Sequence, residues 1–266
     1  MCQNIYLLIG FRFMSRFKAG VIHLSISFFI VVLVMSTMFF LWFPKAYFVL
    51  MGGNQLITLI GVVDVFLGPL LTFAIFKSGK KHLNFDLFCI GVVQLAALTY
   101  GVYTMLLARP IFTVFNKDTF QVGAVVDIVP GEVAKAKNPQ WRQASIIGPQ
   151  LVAIGEPDKK DKKAVAFAMT VSNYAVRYPK LYDDYNKHRH EVIKAGKPLA
   201  SLAADSTENE LVITQFLNKN HRPESDFLVL PIVSLLGEMS AIVDAKTGNF
   251  IDIIDAKPKV IPRKSK

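Results

Sequence analysis

Cysteine is nearly missing from this chain, and acidic residues are nearly missing from its first 109 positions. Only Cys2 and Cys89 occur in 266 residues, so the part after Pro110 has no internal disulfide. This neither requires nor excludes an oxidising compartment. Before Pro110 the chain has eight Lys or Arg but only two Asp or Glu. With 52% apolar residues and a mean hydropathy of +0.38, the composition predicts membrane spans joined to a water-soluble part.

Signatures of catalysis are also absent. The sequence has no glycine-rich phosphate loop, no G-x-S-x-G and no H-E-x-x-H or H-x-x-E-H spacing. His188 and His190 stand two positions apart, so on a helix they point to different faces and are expected to be solvated. Asp183 and Asp184 suit the N-terminus of a helix, where acids favour the dipole. We therefore expect no enzyme, no cofactor and no metal site.

The net charge of +10 does not indicate a nucleic-acid partner. From Pro110 onward there are 22 Lys or Arg and 18 Asp or Glu, so the charges are mixed and the excess is small. No nucleic-acid-binding motif accompanies them.

Three apolar runs dominate the first part, at Val21–Phe43, Leu56–Phe76 and Leu87–Leu107. Each holds about 20 residues, enough for a helix to cross a hydrocarbon core of about 30 Å. The first run lacks a small-residue cleavage site and ends in bulky aromatics, which argues against a signal peptide and is typical of an interfacial belt. The runs predict three transmembrane α-helices that contact the lipid bilayer.

Basic residues predict the orientation of these helices. The cytoplasmic topology determinants are Arg12, Arg16 and Lys18 before the first run and Lys77, Lys80 and Lys81 before the third, whereas the loop between the first two has only Lys45. The positive-inside rule places the N-terminus in the cytoplasm of a multi-pass inner-membrane protein, and everything after Arg109 in the periplasm of a Gram-negative cell.

The part after Pro110 reads as an α+β domain. Residues 111–128 predict two strands around Asn116–Asp118, and residues 162–175, 183–196 and 206–220 predict helices. Residues 226–256 predict three strands, the last two joined by a Lys-Thr-Gly turn. The expected fold is three transmembrane α-helices followed by an α+β domain with an antiparallel sheet. Its divisions are a cytoplasmic N-terminus (1–20), a transmembrane domain (21–109), a periplasmic domain (110–258) and a tail (259–266).

Asp64 lies in the middle of the second apolar run, where a carboxylate is costly and must face other helices. Gly61 and Gly68 share its helical face and Pro69 follows, so another helix can approach closely. Gln94 lies on a facing surface of the third run, although equal depth favours Thr99 or Tyr100 as partners of Asp64. Three interpretations stay open: a clamp within the bundle, a contact for a foreign transmembrane helix, or a proton relay. The candidate client-helix contact is Gly61, Asp64, Gly68, Pro69 and Gln94.

Three long segments together resemble the TfpX/TfpZ family of type IV pilin accessory proteins: MSRFKAGVIHLSIS, VDVFLGPLLTFAIFKSGKKHLNFDL and QLAALTYGVYTMLLARPIFTVF. Family members begin at the segment that starts here with Met14, so translation from Met1 or from Met14 is left open. The resemblance implies a bacterial inner-membrane protein that supports assembly of a major pilin by stabilising or presenting it, with other pilus assembly proteins as further partners. It brings no catalytic residues.

Two other functions compete with this expectation. One is a membrane-anchored enzyme that modifies pilin, and the other is a small transporter subunit. An enzyme of that kind usually needs clustered acidic, His or metal-site residues, which the sequence does not show. One buried acid in three spans is little for a transporter.

Overall fold

The fold comes from a computed structural model that describes residues 15–158, 162, 175–203 and 206–257. Within these residues the chain forms two compact units. The helical unit contains residues 15–40 and 53–106, and the α+β unit contains residues 41–52 and 107–257.

The helical unit is built from two long helices and a divided middle run. Helix α1 (Arg16–Thr37) starts at Ser15, whose side chain accepts a hydrogen bond from the Lys18 amide, and continues as a π-helical turn to Trp42. The middle run comprises α3 (Gly53–Ile60), a π-helical segment (Gly61–Leu67) and α4 (Gly68–Ile75). Helix α5 (Leu83–Ala108) completes the unit.

The prediction of three transmembrane helices is wrong. Among the described residues, two helices are long and apolar enough to cross a membrane, Arg16–Trp42 and Leu83–Ala108. The middle run provides a shorter apolar helix, Gly61–Ile75. Pro69 lacks an amide hydrogen and its ring crowds the carbonyl four residues earlier, and the wider π-helical turn before it relieves that clash.

The α+β unit is centred on an eight-stranded sheet among the described residues, with the order β4-β3-β1-β2-β6-β7-β8 and β5 paired to β6. The strands are β1 (Pro110–Asn116), β2 (Thr119–Ala124), β3 (Gln150–Ile154), β4 (Tyr182–Asp184), β5 (Lys197–Pro198), β6 (Phe227–Val233), β7 (Glu238–Asp244) and β8 (Phe250–Ile254). The helices of this unit are α2 (Tyr47–Leu50), α6 (Arg189–Ala195), α7 (Ala200–Ala203) and α8 (Thr207–Asn220).

The predicted hairpin and meander are confirmed, but the expectation of an antiparallel sheet is wrong. Strands β1 and β2 pair antiparallel around Lys117, which adopts a positive φ of 61°, and β6, β7 and β8 form an antiparallel meander. However, β1 pairs parallel with β3 and β2 pairs parallel with β6. The sheet is therefore mixed. The prediction failed because the two parallel pairs join strands that are distant in sequence, where no turn signal reports the pairing.

The helix predicted at 206–220 is confirmed as α8. Ser206 caps it by accepting a hydrogen bond from the Asn209 amide, and it ends at His221, which is left-handed with φ 53°. The predicted helix at 183–196 is shorter than expected, because residues 182–184 pair with β3 and a 3-10 turn precedes α6. The helix predicted at 162–175 falls largely outside the described residues.

Large apolar side chains form two clusters in the core of the α+β unit. One cluster joins the β1 and β3 region to Trp141, and it comprises Ile111, Phe112, Val114, Ile128, Ala136, Trp141, Val152, Val176 and Tyr182. The other lies under α7 and α8, and it comprises Leu199, Leu202, Ile213, Phe216, Phe227, Val229, Ile242, Ile254 and Ala256.

Candidate functional site

A set of small and polar residues lies inside the helical unit. Helix α1 packs against α4 and against the π-helical segment. The buried positions there include Asp64, Thr72 and Ser27, which are only 6%, 3% and 7% exposed. Each of these polar groups lies away from the exposed, apolar outer surface of the unit, so the polar groups face the helix contacts.

Gln94 of α5 meets the middle run at Gly68. Its Nε2 donates a 3.5 Å hydrogen bond to the backbone carbonyl of Asp64. A Cβ atom at Gly68 would lie 1.8 Å from the same nitrogen, so the contact depends on the missing side chain. The interhelical bond therefore uses the Asp64 carbonyl oxygen, and the carboxylate is not needed for it.

The residues favoured by equal depth do not take this position. Thr99 donates its hydroxyl to the Leu95 carbonyl of its own helix, and Tyr100 is 71% exposed. The estimate of depth failed because it assumed straight α-helices of equal rise, whereas Asp64 sits in a π-helical segment.

His23 on α1 also belongs to this cluster. Its Nδ1 lies 2.6 Å from the Thr72 hydroxyl, and its ring is close enough to Asp64 for a direct electrostatic interaction. His23 is therefore a second ionisable group beside Asp64, and it was not among the predicted site residues. A signal was present, because His23 is the one ionisable side chain in residues 19–44.

The remaining predicted positions differ in their surroundings. Pro69 is buried, and its carbonyl lies 3.8 Å from the Cβ position of Gly20 on α1. At Gly61, by contrast, a Cβ atom would meet nothing within 4 Å. The structure thus brings together four of the predicted residues, Asp64, Gly68, Pro69 and Gln94. Gly61 lies one turn earlier on the Asp64 face and borders open space.

The predicted topology residues lie at the N-terminal ends of the two long helices. Arg16 and Lys18 are exposed in the first turn of α1, and Lys77, Lys80 and Lys81 are exposed just before α5. Lys80 forms a 2.6 Å ion pair with Asp86. Arg12 lies outside the described residues.

A second feature, missed by sequence reasoning, is the docking segment, defined as residues 41–52. It follows the first long helix and belongs to the α+β unit. Phe43, Phe48 and Leu50 are buried at 3% exposure or less. The aromatic residues that predicted an interfacial belt include two that are core residues of the α+β unit.

Hydrogen bonds fix the docking segment at several points. The Leu41 carbonyl accepts a 2.9 Å bond from the Gly148 amide, and the Leu50 carbonyl accepts a 2.7 Å bond from the Ser234 hydroxyl. The Tyr47 hydroxyl lies 2.7 Å from that of the buried Thr113. Burial raises the pKa of Tyr47 to about 12, despite the lowering effect of the Thr113 hydrogen bond.

A cavity of about 360 Å³ lies beside the docking segment, within the α+β unit. It is mostly apolar, and its charged lining residues are Lys45 and Asp252, which form a 3.4 Å ion pair. One ion pair in an apolar cavity provides neither a nucleophile beside a base nor a metal-ligand set.

The histidine and aspartate pairs of the 183–190 region have structural contacts. His190 is exposed, but His188 is partly buried and lies 3.3 Å from Asp183 and 3.2 Å from Glu191. Burial by itself raises the pKa of Asp183, but hydrogen bonds from Lys187, the Asp184 amide and His188 lower it to about 2. In the part of the chain that the structure describes, no three His, Cys, Asp or Glu side chains are grouped to hold a metal ion.

Comparison with known proteins assigns the chain to a family. A family model described as "Fimbrial assembly protein FimB" matches residues 11–52. The fimbrial assembly protein of serogroup I from Dichelobacter nodosus is 31% identical over 227 residues, which cover 84% of this chain and 88% of that protein. The chain belongs to the fimbrial assembly protein family. The serogroup E1 protein of the same organism is 32% identical over 228 residues, with the same shares covered.

The fimbrial assembly proteins match both units of this chain. The relative from serogroups C1 and C2 is 36% identical over 127 residues, which are 47% of this chain and 97% of that protein. The family model covers the first long helix and the docking segment. These relatives support the broad family and not the narrower TfpX/TfpZ group specifically. No solved structure matches the chain.

Proposed function

We propose that this fimbrial assembly protein is an inner-membrane accessory factor of the TfpX/TfpZ type, which supports type IV pilus assembly by stabilising or presenting the major pilin. The proposal assigns no catalytic step to the chain. The observation that carries it is the small and polar cluster around Asp64, inside a helical unit with an apolar outer surface. Family membership supports it, because the relatives are named for fimbrial assembly.

The proposed location follows from the ends of the two long helices. Basic residues precede both helices, and the C-terminal ends of both continue directly into the α+β unit at residues 41 and 107. By the positive-inside rule the N-terminal ends lie in the cytoplasm and the α+β unit lies in the periplasm. This orientation requires the divided middle run, and not a third long helix, to return the chain to the cytoplasmic side before Lys77. A reporter active only in the periplasm should be active when fused after Lys266 and silent when fused at Gly79. The reverse pattern would overturn this orientation.

The proposed contact for pilin is the open side of the Asp64 cluster. Gln94 bonds the backbone carbonyl of Asp64 and not its carboxylate, which is buried beside His23 at 6% exposure. Gly61 on the same face borders open space, which lets a foreign helix approach closely. Pilins as a class carry an apolar N-terminal helix with an acidic residue, and two carboxylates would pair there only if one is protonated.

The test measures the accessory protein level and the yield of pilin crosslinks in membranes from the same cells. Asp64→Leu should leave the level unchanged, because the Gln94 bond uses the backbone, but it should reduce crosslinking and surface pili. Asp64→Asn is the matched control, and it should keep most of the crosslinking because it retains a hydrogen-bonding group. Full crosslinking by Asp64→Leu at normal abundance would show that pilin does not bind at Asp64. A fall in abundance would instead indicate the clamp within the bundle.

A further inference from the structure

In the α+β unit the ends of four neighbouring strands meet on the same side of the sheet. This side, where β1 and β3 start and β2 and β6 end, is called here the proximal edge. Strand β1 starts at this edge directly after Arg109, and β2, which is antiparallel to β1, ends there. Strand β3 is parallel to β1 and starts there, and β6 is parallel to β2 and ends there. The loops that follow β2, precede β3 and join β6 to β7 therefore share the proximal edge with the docking segment.

This edge carries exposed apolar side chains. Ile146 and Ile147, before β3, are 68% and 71% exposed, and Leu235 and Leu236, after β6, are 60% and 68% exposed. Val126, after β2, is 65% exposed. Among the described residues of this unit, Leu211 on α8 is the large apolar side chain of comparable exposure that is not in these loops.

The opposite edge of the same sheet is charged. The turn between β1 and β2 exposes Lys117 and Asp118, and the turn between β7 and β8 exposes Lys246 and Thr247. Asp226, just before β6, pairs with Arg222 at 3.2 Å. One edge is thus suited to water, whereas the proximal edge exposes these five large apolar side chains beside the basic Lys135, Lys137 and Arg142 of the loop before β3.

Hydrogen bonds connect the proximal loops to the residues that follow the long helices. The Gly148 amide donates to the Leu41 carbonyl, at the end of the first helix. The Arg109 side chain, one residue beyond the other helix, donates a 3.1 Å bond to the Ser145 carbonyl. If both helices span a bilayer, these loops lie at the level where the spans leave the hydrocarbon.

We propose that the proximal edge inserts into the interfacial layer of the bilayer, with Ile146, Ile147, Leu235, Leu236 and Val126 among the lipid headgroups and upper acyl chains. This inference rests on the membrane placement in the proposed function and adds a second attachment to it. The lipid contact would hold the α+β unit against the membrane surface, so that its charged edge faces away from the bilayer.

The experiment uses the full chain in nanodiscs of phosphatidylethanolamine and phosphatidylglycerol, with Cys2 and Cys89 replaced by Ser. A polarity-sensitive fluorophore is attached at Ile147→Cys, Leu236→Cys, Thr247→Cys or Val93→Cys in turn. Quenchers are aqueous iodide and lipids with a nitroxide near the headgroup or deep in the acyl chain. Val93 is exposed on α5 and reports membrane insertion, and Thr247 reports the opposite edge.

Probes at 147 and 236 should lose fluorescence to the headgroup-level nitroxide and be protected from iodide, whereas the probe at 247 should show the reverse. Iodide access at 147 and 236 would overturn the proposal. So would protection without lipid quenching, which would mean that pilin or a second copy covers the edge. If either of these results is accompanied by quenching of the Val93 probe by the deep nitroxide, the membrane placement in the proposed function is retained and only this inference is wrong. Absence of that quenching would overturn the membrane placement and this inference together.

Discussion

The helical unit and the α+β unit bury different kinds of side chain. Positions buried between helices in the first include Gly20, Asp64 and Thr72, while Phe29 and Phe66 are 70% and 73% exposed. In the α+β unit the phenylalanines of β1 and β2 are buried at 2% exposure or less, and most charged side chains lie outside the core, with Asp127 as a buried exception. The first arrangement is stable in an apolar solvent and the second in water.

The two units also differ in how easily the neighbours of a glycine could make room for a larger side chain. At Gly68 the neighbour is the flexible amide end of Gln94, which can move aside. At Gly123 in β2 the neighbour is Val176, which is fully buried and whose Cγ1 would lie 1.8 Å from an added Cβ atom. Close packing is therefore rigid in the α+β unit and adjustable at the Asp64 cluster.

The largest expected effect tests this rigidity. Gly123→Ala should lower the free energy of unfolding of the α+β unit by about 3 kcal/mol, because the added methyl group cannot be accommodated without displacing Val176. The measurement is thermal unfolding in detergent, followed by the fluorescence of Trp141, which is buried in this core. Gly61→Ala is the matched control and should leave the transition unchanged, since its Cβ meets open space. Equal transitions for both variants would refute the difference in rigidity.

The second prediction concerns acid. Asp244 accepts hydrogen bonds from Arg222 at 2.7 Å and from the amides of Lys246 and Thr247. These bonds, above all the one from Arg222, hold the pKa of Asp244 well below the ordinary 3.8. A depressed pKa stabilises the fold above the ordinary value, and this stability is lost as the pH falls below it. Asp183, with a pKa of about 2, acts in the same window.

Asp244→Asn should therefore lower the free energy of unfolding at pH 7 by about 1.5 kcal/mol, because hydrogen bonds to a charged acceptor are replaced by weaker ones and solvent screens the partly exposed Arg222 pair. Near pH 2 the difference from the unmodified chain should shrink. The measurement is the same thermal transition recorded between pH 7 and pH 2. A difference that does not depend on pH would mean that the charge of Asp244 contributes nothing.

Local features of both units could be predicted from the sequence, whereas the features that depend on distant pairing could not. The hairpin around Lys117 and helix α8 depend on local signals and were predicted. The parallel pairing of β2 with β6 joins residues that are more than 100 positions apart, and no pattern within either strand reports it. The division of the middle run depends on π-helical turns, which hydropathy does not detect.

The candidate site shows the same limit. The glycine and proline positions around Asp64 were visible in the sequence because small residues in an apolar run are conspicuous. The contribution of His23 required knowledge of which face of α1 meets Thr72, almost 50 residues away. The docking segment was missed because buried aromatic residues after a long apolar helix have the same composition as an interfacial belt.

A third prediction concerns the attachment of the docking segment. The pKa of Tyr47 is raised to about 12 from 10.0, so the neutral form stabilises the fold below pH 10 and this stability is lost as the pH rises through 12. Tyr47→Phe should cost about 1 kcal/mol at pH 7, because the buried Thr113 hydroxyl loses its partner. It should also flatten the loss of stability between pH 10 and 12. An unchanged alkaline limb, measured by the same fluorescence transition, would assign that limb to other groups.

The smallest expected effect compares one hydroxyl contact in each unit. The His23–Thr72 contact, at 2.6 Å, is the helical counterpart of Tyr47–Thr113 at 2.7 Å. Interhelical hydrogen bonds in membrane proteins average about 0.6 kcal/mol, because the separated helices also find polar partners in the membrane. The double-mutant cycle of His23→Leu and Thr72→Val should therefore give a coupling of that size, measured as unfolding in mixed detergent. The matched cycle of Tyr47→Phe and Thr113→Val should give a somewhat larger coupling.

A coupling above about 2 kcal/mol for His23 and Thr72 would exceed the range of such bonds and would identify this contact as a main clamp of the helical unit. Asp64 would then serve stability through its neighbour His23, and the pilin contact should be sought in the α+β unit.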